Sequence, residues 1–238
     1  RFLVRLANRW LSTGKETTKY LVHYGAKPES IREYPFSSFY QADILPEVVS
    51  QEEKRRIREA LGIPEEKMLL AIGQFIPRKG FDVLLKAAAR LDRDVGIYLV
   101  GGEATPEYTA LREKLGLANV HFVGFKPKTE LAEYYKAADA FVLPTREDIW
   151  GLVINEAMAY GLPVVTTDRC VAGMELVENG VNGYIVPVGD ENALADRLRE
   201  LLSSDMPAMG RISLKKIRNY TLENMAKAHM DYLQEWEK

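Results

Sequence analysis

The sequence lacks the features that mark several large classes of protein. Cys170 is the only cysteine among 238 residues, which excludes an intramolecular disulfide and a CxxC site. The net charge is −2 and the pI about 6.1, so no basic field favours nucleic acid or anionic lipid. No apolar run approaches the roughly 18 residues of a membrane span. The composition is that of a globular protein in a reducing compartment.

Two glycine-rich phosphate motifs are also absent. Neither the GxGxxG of dinucleotide-binding folds nor the GxxxxGK[ST] of phosphate-loop NTPases occurs. His23, His121 and His229 lie on three different predicted elements and form no metal-ligand spacing. The sequence therefore shows no motif for a dinucleotide, a phosphate loop or a histidine-bound metal ion.

What the sequence does contain is an alternation of short apolar runs and helical patterns. Continuous apolar strands separated by helices are typical of a parallel sheet covered on both faces. The sequence thus predicts an α/β fold: a doubly wound parallel six-stranded sheet with helices on both faces. The predicted strands are Met68–Ile72, Val95–Val100, Val120–Val123, Ala140–Leu143, Val164–Thr167 and Gly183–Val186.

A charged helix is predicted ahead of the first of these strands, over residues 46–61. It contains the basic run KRRIR, Lys54 to Arg58, which follows two glutamates. The mixed signs of charge favour a solvated helix face over a nucleic-acid patch.

The carboxyl ends of the predicted strands are the expected ligand edge of such a sheet. Glycine recurs there, in Gly73-Gln74, Gly101-Gly102 and Gly124-Phe125, where a backbone can come close to a ligand. After the first strand, Arg78 and Lys79 lie at the start of a helix. A helix start with two cations favours a phosphate or diphosphate, and an exposed loop with two solvated cations is the alternative.

One carboxylate stands alone in a second helix at this edge. Glu156 is the only charged side chain from Gly151 to Val165, in a helix that is apolar nearly all round. A buried carboxylate needs a donor, and without a ligand we expect water or a neighbouring backbone N–H to supply it. Asp148, eight residues earlier, is either a helix cap or a ligand contact. Cations for a diphosphate and carboxylates for hydroxyl groups together describe a nucleotide sugar.

Six segments in order resemble one enzyme family. DIWGLVINEAMAYGLPVV resembles the acidic motif of retaining GT-B glycosyltransferases, particularly family 4, the glycosyl transferases group 1. GQFIPRKGFDVLLKAAARL is similar to the first strand and helix of that family's C-terminal domain. LVGGE, VHFVGF, LAEYYKAADAFVLPT and ELVENGVNGYIVPVGD resemble the segments that follow. The resemblance covers about residues 68–202.

The resemblance implies roles for matching residues. Glu156 would bind the ribose hydroxyls, Asp148 the donor sugar, and Lys79 the diphosphate with Arg78 as its helper. The N–H groups of the helix start would take the distal phosphate. That helix start comprises Ile149, Trp150, Gly151 and Leu152, and the strand-end residues Gly73, Gln74, Gly101, Gly124, Phe125 and Thr145 complete the predicted donor site.

The implied activity is transfer of a sugar from a UDP- or GDP-linked donor to an acceptor, with retention of configuration. Enzymes of this fold do not usually need a metal ion, so the resemblance implies neither a metal ion nor a cofactor. Polysaccharide or glycoconjugate biosynthesis is the expected setting, with a saccharide or lipid-linked acceptor and no nucleic acid. Gln74 stands where the family often has arginine, and Asp148 where glutamate is usual. These two departures favour the alternative of a non-catalytic nucleotide-sugar-binding or regulatory module.

The resemblance also implies a division of the chain. Residues 1–45 would be the remnant of an N-terminal domain and a linker, and 46–212 the nucleotide-sugar-binding domain. Residues 213–238 would be a helical tail that crosses back to the missing N-terminal domain. We therefore expect a donor-binding half that is inactive alone. We expect a cytoplasmic location, peripheral to the inner membrane face in the full-length protein.

Overall fold

The computed structural model describes residues 3–236, which form two compact units. One unit is Leu45–Lys215, and the other consists of the described residues on either side of it. The strands are β1 (Trp10–Ser12), β2 (Ile31–Glu33), β3 (Lys67–Ile72), β4 (Val95–Val100), β5 (Val120–Val123), β6 (Ala140–Leu143), β7 (Val164–Thr167) and β8 (Gly183–Val186). The helices are α1 (Lys15–His23), α2 (Gln51–Leu61), α3 (Phe81–Ala88), α4 (Pro106–Lys114), α5 (Lys128–Ala137), α6 (Leu152–Ala159), α7 (Val171–Leu176), α8 (Glu191–Leu202), α9 (Met206–Ile217) and α10 (Leu222–Trp236).

The larger unit is built on six parallel strands in the order β5-β4-β3-β6-β7-β8. From β3 the chain moves outward to β4 and β5, then returns to β6 beside β3 and moves the other way. Right-handed crossovers in opposite directions place helices on opposite faces of the sheet. Helix α3 packs against α4 and α8, whereas α2 packs against α5. The predicted doubly wound six-stranded sheet is confirmed.

The central strands are buried because both of their faces are covered. Met68, Leu69 and Leu70 of β3 and Phe141 of β6 have no exposed surface. A strand covered on both faces needs apolar side chains on both. This is why the six strands read as unbroken apolar runs in the sequence.

The smaller unit has its own short parallel pair of strands. Trp10 of β1 pairs with Ile31 of β2, and Ile31 packs with Leu21 and Ala26 in a small apolar cluster. The Tyr232 hydroxyl of α10 donates to the Glu33 carbonyl oxygen, so the tail helix lies with these N-terminal elements. Among residues 3–236, every helix is too short or too polar to cross a bilayer.

The expectation of a solvated basic face on α2 is wrong for two of its cations. Lys54 and Arg58 are buried, and both bind the buried carboxylate of Asp139, which lies between α5 and β6. Lys54 Nζ is 3.1 Å from Asp139 Oδ1, and an Arg58 nitrogen is 2.6 Å from Oδ2. The same Oδ2 accepts the Met68 N–H at 2.9 Å, and Arg58 also donates to the Ala137 carbonyl. One carboxylate therefore joins α2 to the first central strand.

Candidate functional site

The loops that follow β3 and β6 meet at the point where the strand order reverses. Strands β3 and β6 are neighbours in the sheet, but the connections that follow them run in opposite directions. A crevice is therefore expected between the two loops that follow these strands. Residues 73–80 form the loop after β3, and residues 144–151 form the loop after β6. The candidate site lies at this crevice, where the predicted cations and carboxylates are found.

The two loops are joined by direct contacts. The Thr145 hydroxyl and the Arg146 N–H both lie within hydrogen-bond distance of the Arg78 carbonyl, at 2.9 and 2.7 Å. Gly80 has a φ of 68°, and a Cβ there would lie 2.0 Å from the Pro144 carbonyl oxygen. Thr145 is fully buried. Its hydroxyl also lies 2.9 Å from the Glu147 carbonyl, so its one hydrogen is taken up by a backbone acceptor and is not left to donate to a ligand.

Lys79 and Asp148 form an ion pair across the crevice. Lys79 Nζ donates to Asp148 Oδ2 at 2.7 Å, and both side chains are mostly buried. Arg78 lies farther out, with a nitrogen 3.7 Å from the same oxygen, and donates to the Glu147 carbonyl. The exposed-loop alternative therefore fails for Lys79, which is held in the crevice, while the Arg78 side chain remains 45% exposed.

Helix α6 begins beside this pair, and Asp148 is not its cap. The N-cap is Gly151, with φ 99°, and no side chain caps the helix. A Cβ on Gly151 would lie 3.8 Å from Cγ of Asp148, so the first N–H groups of α6 start next to the carboxylate. The Trp150 side chain is buried and donates to Asn155, which leaves only its backbone near the crevice. The helix-cap interpretation of Asp148 is wrong.

Two further members of the predicted helix start differ in exposure. Leu152 is the first residue of α6, so its N–H lies in the unpaired first turn. The side chain of Ile149 is 85% exposed. Both side chains are apolar. Any hydrogen bond from Ile149 or Leu152 to a ligand would therefore come from the backbone.

Glu156 is held by a side chain that sequence reasoning missed. The Tyr135 hydroxyl of α5 donates to Glu156 Oε2 at 2.8 Å, and the Tyr135 ring stacks on Tyr160 at 4.8 Å. Burial raises the pKa of Glu156, and the Tyr135 hydrogen bond and the charge of Lys128 oppose that rise. The expected backbone donor is thus replaced by a phenol. The signal was present in the sequence as the second tyrosine of LAEYYKAAD, 21 residues from Glu156.

Glu156→Gln should stabilise the ligand-free protein in a pH-dependent way. Because burial raises the folded-state pKa, the carboxylate favours unfolding once it is ionised in the folded protein. The stability that protonation of Glu156 gives is fully present below the pKa of the unfolded chain, 4.5. It is lost as pH rises through the higher pKa of the folded protein. Glutamine keeps an acceptor for Tyr135 without the charge. We expect equal melting temperatures at low pH and a higher one for the variant at neutral pH.

The measurement is thermal melting of both proteins across this pH range. Glu113→Gln, a change on the exposed face of α4, is the matched control and should leave the profile unchanged. A variant that melts below the wild type at neutral pH would contradict the burial argument.

Of the remaining predicted contacts, Gly101 is required by the packing of two strand ends, and the others lie at accessible positions. A Cβ on Gly101 would lie 1.9 Å from the Gly73 carbonyl, so Gly101 allows two strand ends to approach each other instead of a ligand. Gln74 follows Gly73 at the edge and is exposed. Gly124 has open space around it, and the Phe125 side chain beside it is 81% exposed. The end of β5 is therefore accessible, as a base-binding position would need to be.

The crevice carboxylates Asp148 and Glu156 belong to no metal-binding cluster among residues 3–236. The sequence has one Asp-x-Asp, Asp92 to Asp94, but it precedes β4 and so lies at the opposite edge of the sheet. Within residues 3–236 there is no cluster of three or more His, Cys, Asp or Glu side chains that could hold an ion. His121 instead bonds Glu65 at 2.7 Å, beside Tyr98.

The geometry agrees with the family resemblance. Comparison with known proteins establishes the family. The family model described as glycosyl transferases group 1 matches residues 53–224. This chain belongs to the glycosyl transferases group 1 family. Its sheet is one Rossmann-like half of the GT-B fold, and the matched span includes Arg78, Lys79, Asp148 and Glu156.

The match to individual relatives covers only part of the length of those relatives. D-inositol 3-phosphate glycosyltransferase of Corynebacterium diphtheriae is 33% identical over 226 residues, which is 89% of this chain and 52% of that protein. The chain spans about half the length of the curated relatives it matches.

Solved structures of the same fold extend the comparison. Sucrose-phosphate synthase from Thermosynechococcus elongatus is 25% identical, with a TM-score of 0.77 over 95% of this chain and 57% of that one. Anabaena HepE in complex with UDP is 22% identical, with a TM-score of 0.82 over 98% of this chain and 64% of that one. Both likenesses cover nearly the whole of the present chain.

Proposed function

We propose that this chain binds a nucleotide-diphosphate sugar and is the donor-binding half of a retaining glycosyltransferase. The observation that carries the proposal is the grouping at the strand-order reversal. Lys79 lies against Asp148, the α6 N-terminus starts beside them, and Glu156 lies one turn along the same helix. The distance from Leu152 to Glu156 along the helix is about 6 Å, which suits a ribose next to its phosphates.

The proposed chemistry is electrostatic. Departure of a nucleotide diphosphate places negative charge on the leaving oxygen and its phosphates. Lys79, Arg78 and the N–H groups at the start of α6 would stabilise that charge from fixed positions. Because two cations and a helix terminus serve this role, the proposal requires no metal ion and no cofactor. Glu156 would accept hydrogen bonds from the ribose hydroxyls, and Asp148 would contact the donor sugar.

The comparisons guide the choice of ligand. HepE was solved with UDP, which makes UDP the first nucleotide to test here. The relatives named D-inositol 3-phosphate glycosyltransferase make a phosphorylated polyol the first acceptor class to test in the whole protein. A role in polysaccharide or glycoconjugate assembly belongs to the same proposal.

Separate probes for each part of the nucleotide test the proposal. We expect Glu156→Ala to weaken binding of uridine and UDP about tenfold and to leave pyrophosphate binding unchanged. Lys79→Ala should weaken UDP and pyrophosphate binding by about tenfold and leave uridine unchanged, since it removes a charged hydrogen bond to phosphate and leaves the Asp148 carboxylate unpaired beside it. Isothermal titration calorimetry measures all three ligands, and guanosine with GDP forms a parallel set that identifies the base.

The controls are Glu113→Ala and Lys114→Ala, both on the exposed face of α4. Equal affinity for UDP and GDP in the wild type and both site variants would overturn the assigned roles. A single variant that loses binding of uridine, UDP and pyrophosphate together would indicate misfolding of the crevice instead of separate subsites.

A further inference from the structure

Arg146 joins the two crevice loops by two contacts and ties them to helix α3 by a third. One guanidinium nitrogen donates to the Pro77 carbonyl at 2.6 Å, and the backbone N–H donates to the Arg78 carbonyl at 2.7 Å. The guanidinium also makes a two-pronged ion pair with Asp82, at 2.8 and 2.7 Å. Arg146 therefore fixes the backbone on which both predicted phosphate-binding cations are carried.

Asp82 anchors this arrangement to the rigid part of the fold. It lies in the first turn of α3, whose residues Phe81, Leu84 and Leu85 are fully buried in the core. The hydrogen bond from Arg146 outweighs burial and lowers the pKa of Asp82, so the pair is charged on both sides at neutral pH. A planar guanidinium held on both oxygens of a carboxylate has a defined orientation, which a lysine could not reproduce.

The side-chain contacts of the pair are made beside a second groove. Arg146 and Asp82 line a separate groove of about 510 Å³ together with Phe75, Pro77, Thr105 and Tyr108. Neither Lys79 nor Asp148 lines that groove. Because the Arg146 guanidinium binds Asp82 and the Pro77 carbonyl beside this groove, we expect a change at Arg146 to affect binding in the crevice through the loops.

We infer that Arg146, clamped by Asp82, is a positioning residue that holds the Arg78–Lys79 loop in the geometry that binds a diphosphate. The inference rests on the proposed function of the crevice. Arg146 binds the carbonyls of Pro77 and Arg78, which are the two residues immediately before Lys79. Releasing them lets the cations move away from the α6 N-terminus, and a displacement of about 1 Å weakens a preorganised charged site.

The test compares ligands that do and do not carry phosphate. Arg146→Met keeps most of the aliphatic stem, and we expect it to bind pyrophosphate and UDP about fivefold more weakly, with uridine unchanged. Asp82→Asn should give a smaller loss in the same direction, and the double variant should bind no more weakly than Arg146→Met. Arg146→Lys should recover only part of the affinity. Arg199→Met, which breaks an exposed ion pair on α8, should change nothing.

Each outcome bears on a different claim. Wild-type affinity for pyrophosphate in Arg146→Met overturns the positioning role and leaves the proposed function standing. An equal loss of uridine and pyrophosphate binding also overturns it, because general destabilisation has no preference for phosphate. A wild-type protein that binds neither UDP, GDP nor pyrophosphate overturns the positioning role together with the proposed function. If Arg146→Met does not fold, Asp82→Asn and Arg146→Lys give the same comparison.

Discussion

Asp139→Asn should lower the free energy of unfolding by about 3–5 kcal/mol, because it leaves two buried cations without their counter-charge. Lys54 and Arg58 are both buried, and Asp139 is the acid that contacts both. Asparagine preserves the volume and an acceptor for the Met68 N–H, so the loss reports the charge more than the packing. Urea denaturation measures the change.

The pH dependence of this variant gives a second readout. Burial lowers the pKa of Lys54 from 10.5, and Asp139 is the main influence that opposes this. In the variant the folded protein binds the Lys54 proton more weakly than the unfolded chain does. Stability should therefore rise as pH increases toward 10.5, so the deficit relative to wild type shrinks. Lys54→Met in the Asp139→Asn background should restore part of the lost stability.

Asp196→Asn is the matched control for this prediction. Asp196 pairs with Arg199 on the exposed face of α8, and surface pairs of this kind contribute about 0–1 kcal/mol. If the two asparagine variants were equally stable, the buried network would not anchor α2 to the sheet.

The sheet could be predicted from the sequence because its signal is local. Each strand is a run of apolar residues, and the strand ends fall where the runs stop. The parallel, doubly wound arrangement follows from the alternation of strands with helices and needs no contact between particular side chains. The positions of Arg78, Lys79 and Glu156 at the ligand edge follow from the same pattern, since each lies directly after a strand or within the next helix.

What could not be predicted depends on partners far apart in the chain. Asp139 lies 85 residues from Lys54, so the sequence around α2 shows only a mixed-charge helix. Asp148 lies 69 residues from Lys79, which is why a cap and an ion pair could not be separated. Gly101 was interpreted as allowing a ligand to approach, but the atom it accommodates is a backbone oxygen of the adjacent strand end. Composition at a strand end does not reveal which neighbour requires the glycine.

Asp148→Asn should raise the affinity for pyrophosphate by about 30-fold, whereas Lys79→Ala lowers it. In the ligand-free protein the Lys79 ammonium is bound by the Asp148 carboxylate at 2.7 Å. An incoming phosphate must compete with that carboxylate and also approach its negative charge. Asparagine removes both obstacles and leaves an amide that fits the same space. Calorimetric titration with pyrophosphate measures the change without a contribution from base or sugar.

The double variant Lys79→Ala/Asp148→Asn decides whether the gain passes through Lys79. We expect it to bind pyrophosphate no more tightly than Lys79→Ala, since the freed ammonium is the source of the gain. Glu147→Gln removes an adjacent exposed acid and should change affinity by less than about twofold, because exposed charges are strongly screened. A weaker pyrophosphate complex in Asp148→Asn would mean that the carboxylate orients Lys79 instead of competing for it. With UDP-glucose as ligand we expect a smaller gain than with UDP, because the proposed contact of Asp148 with the sugar is weakened in the same variant.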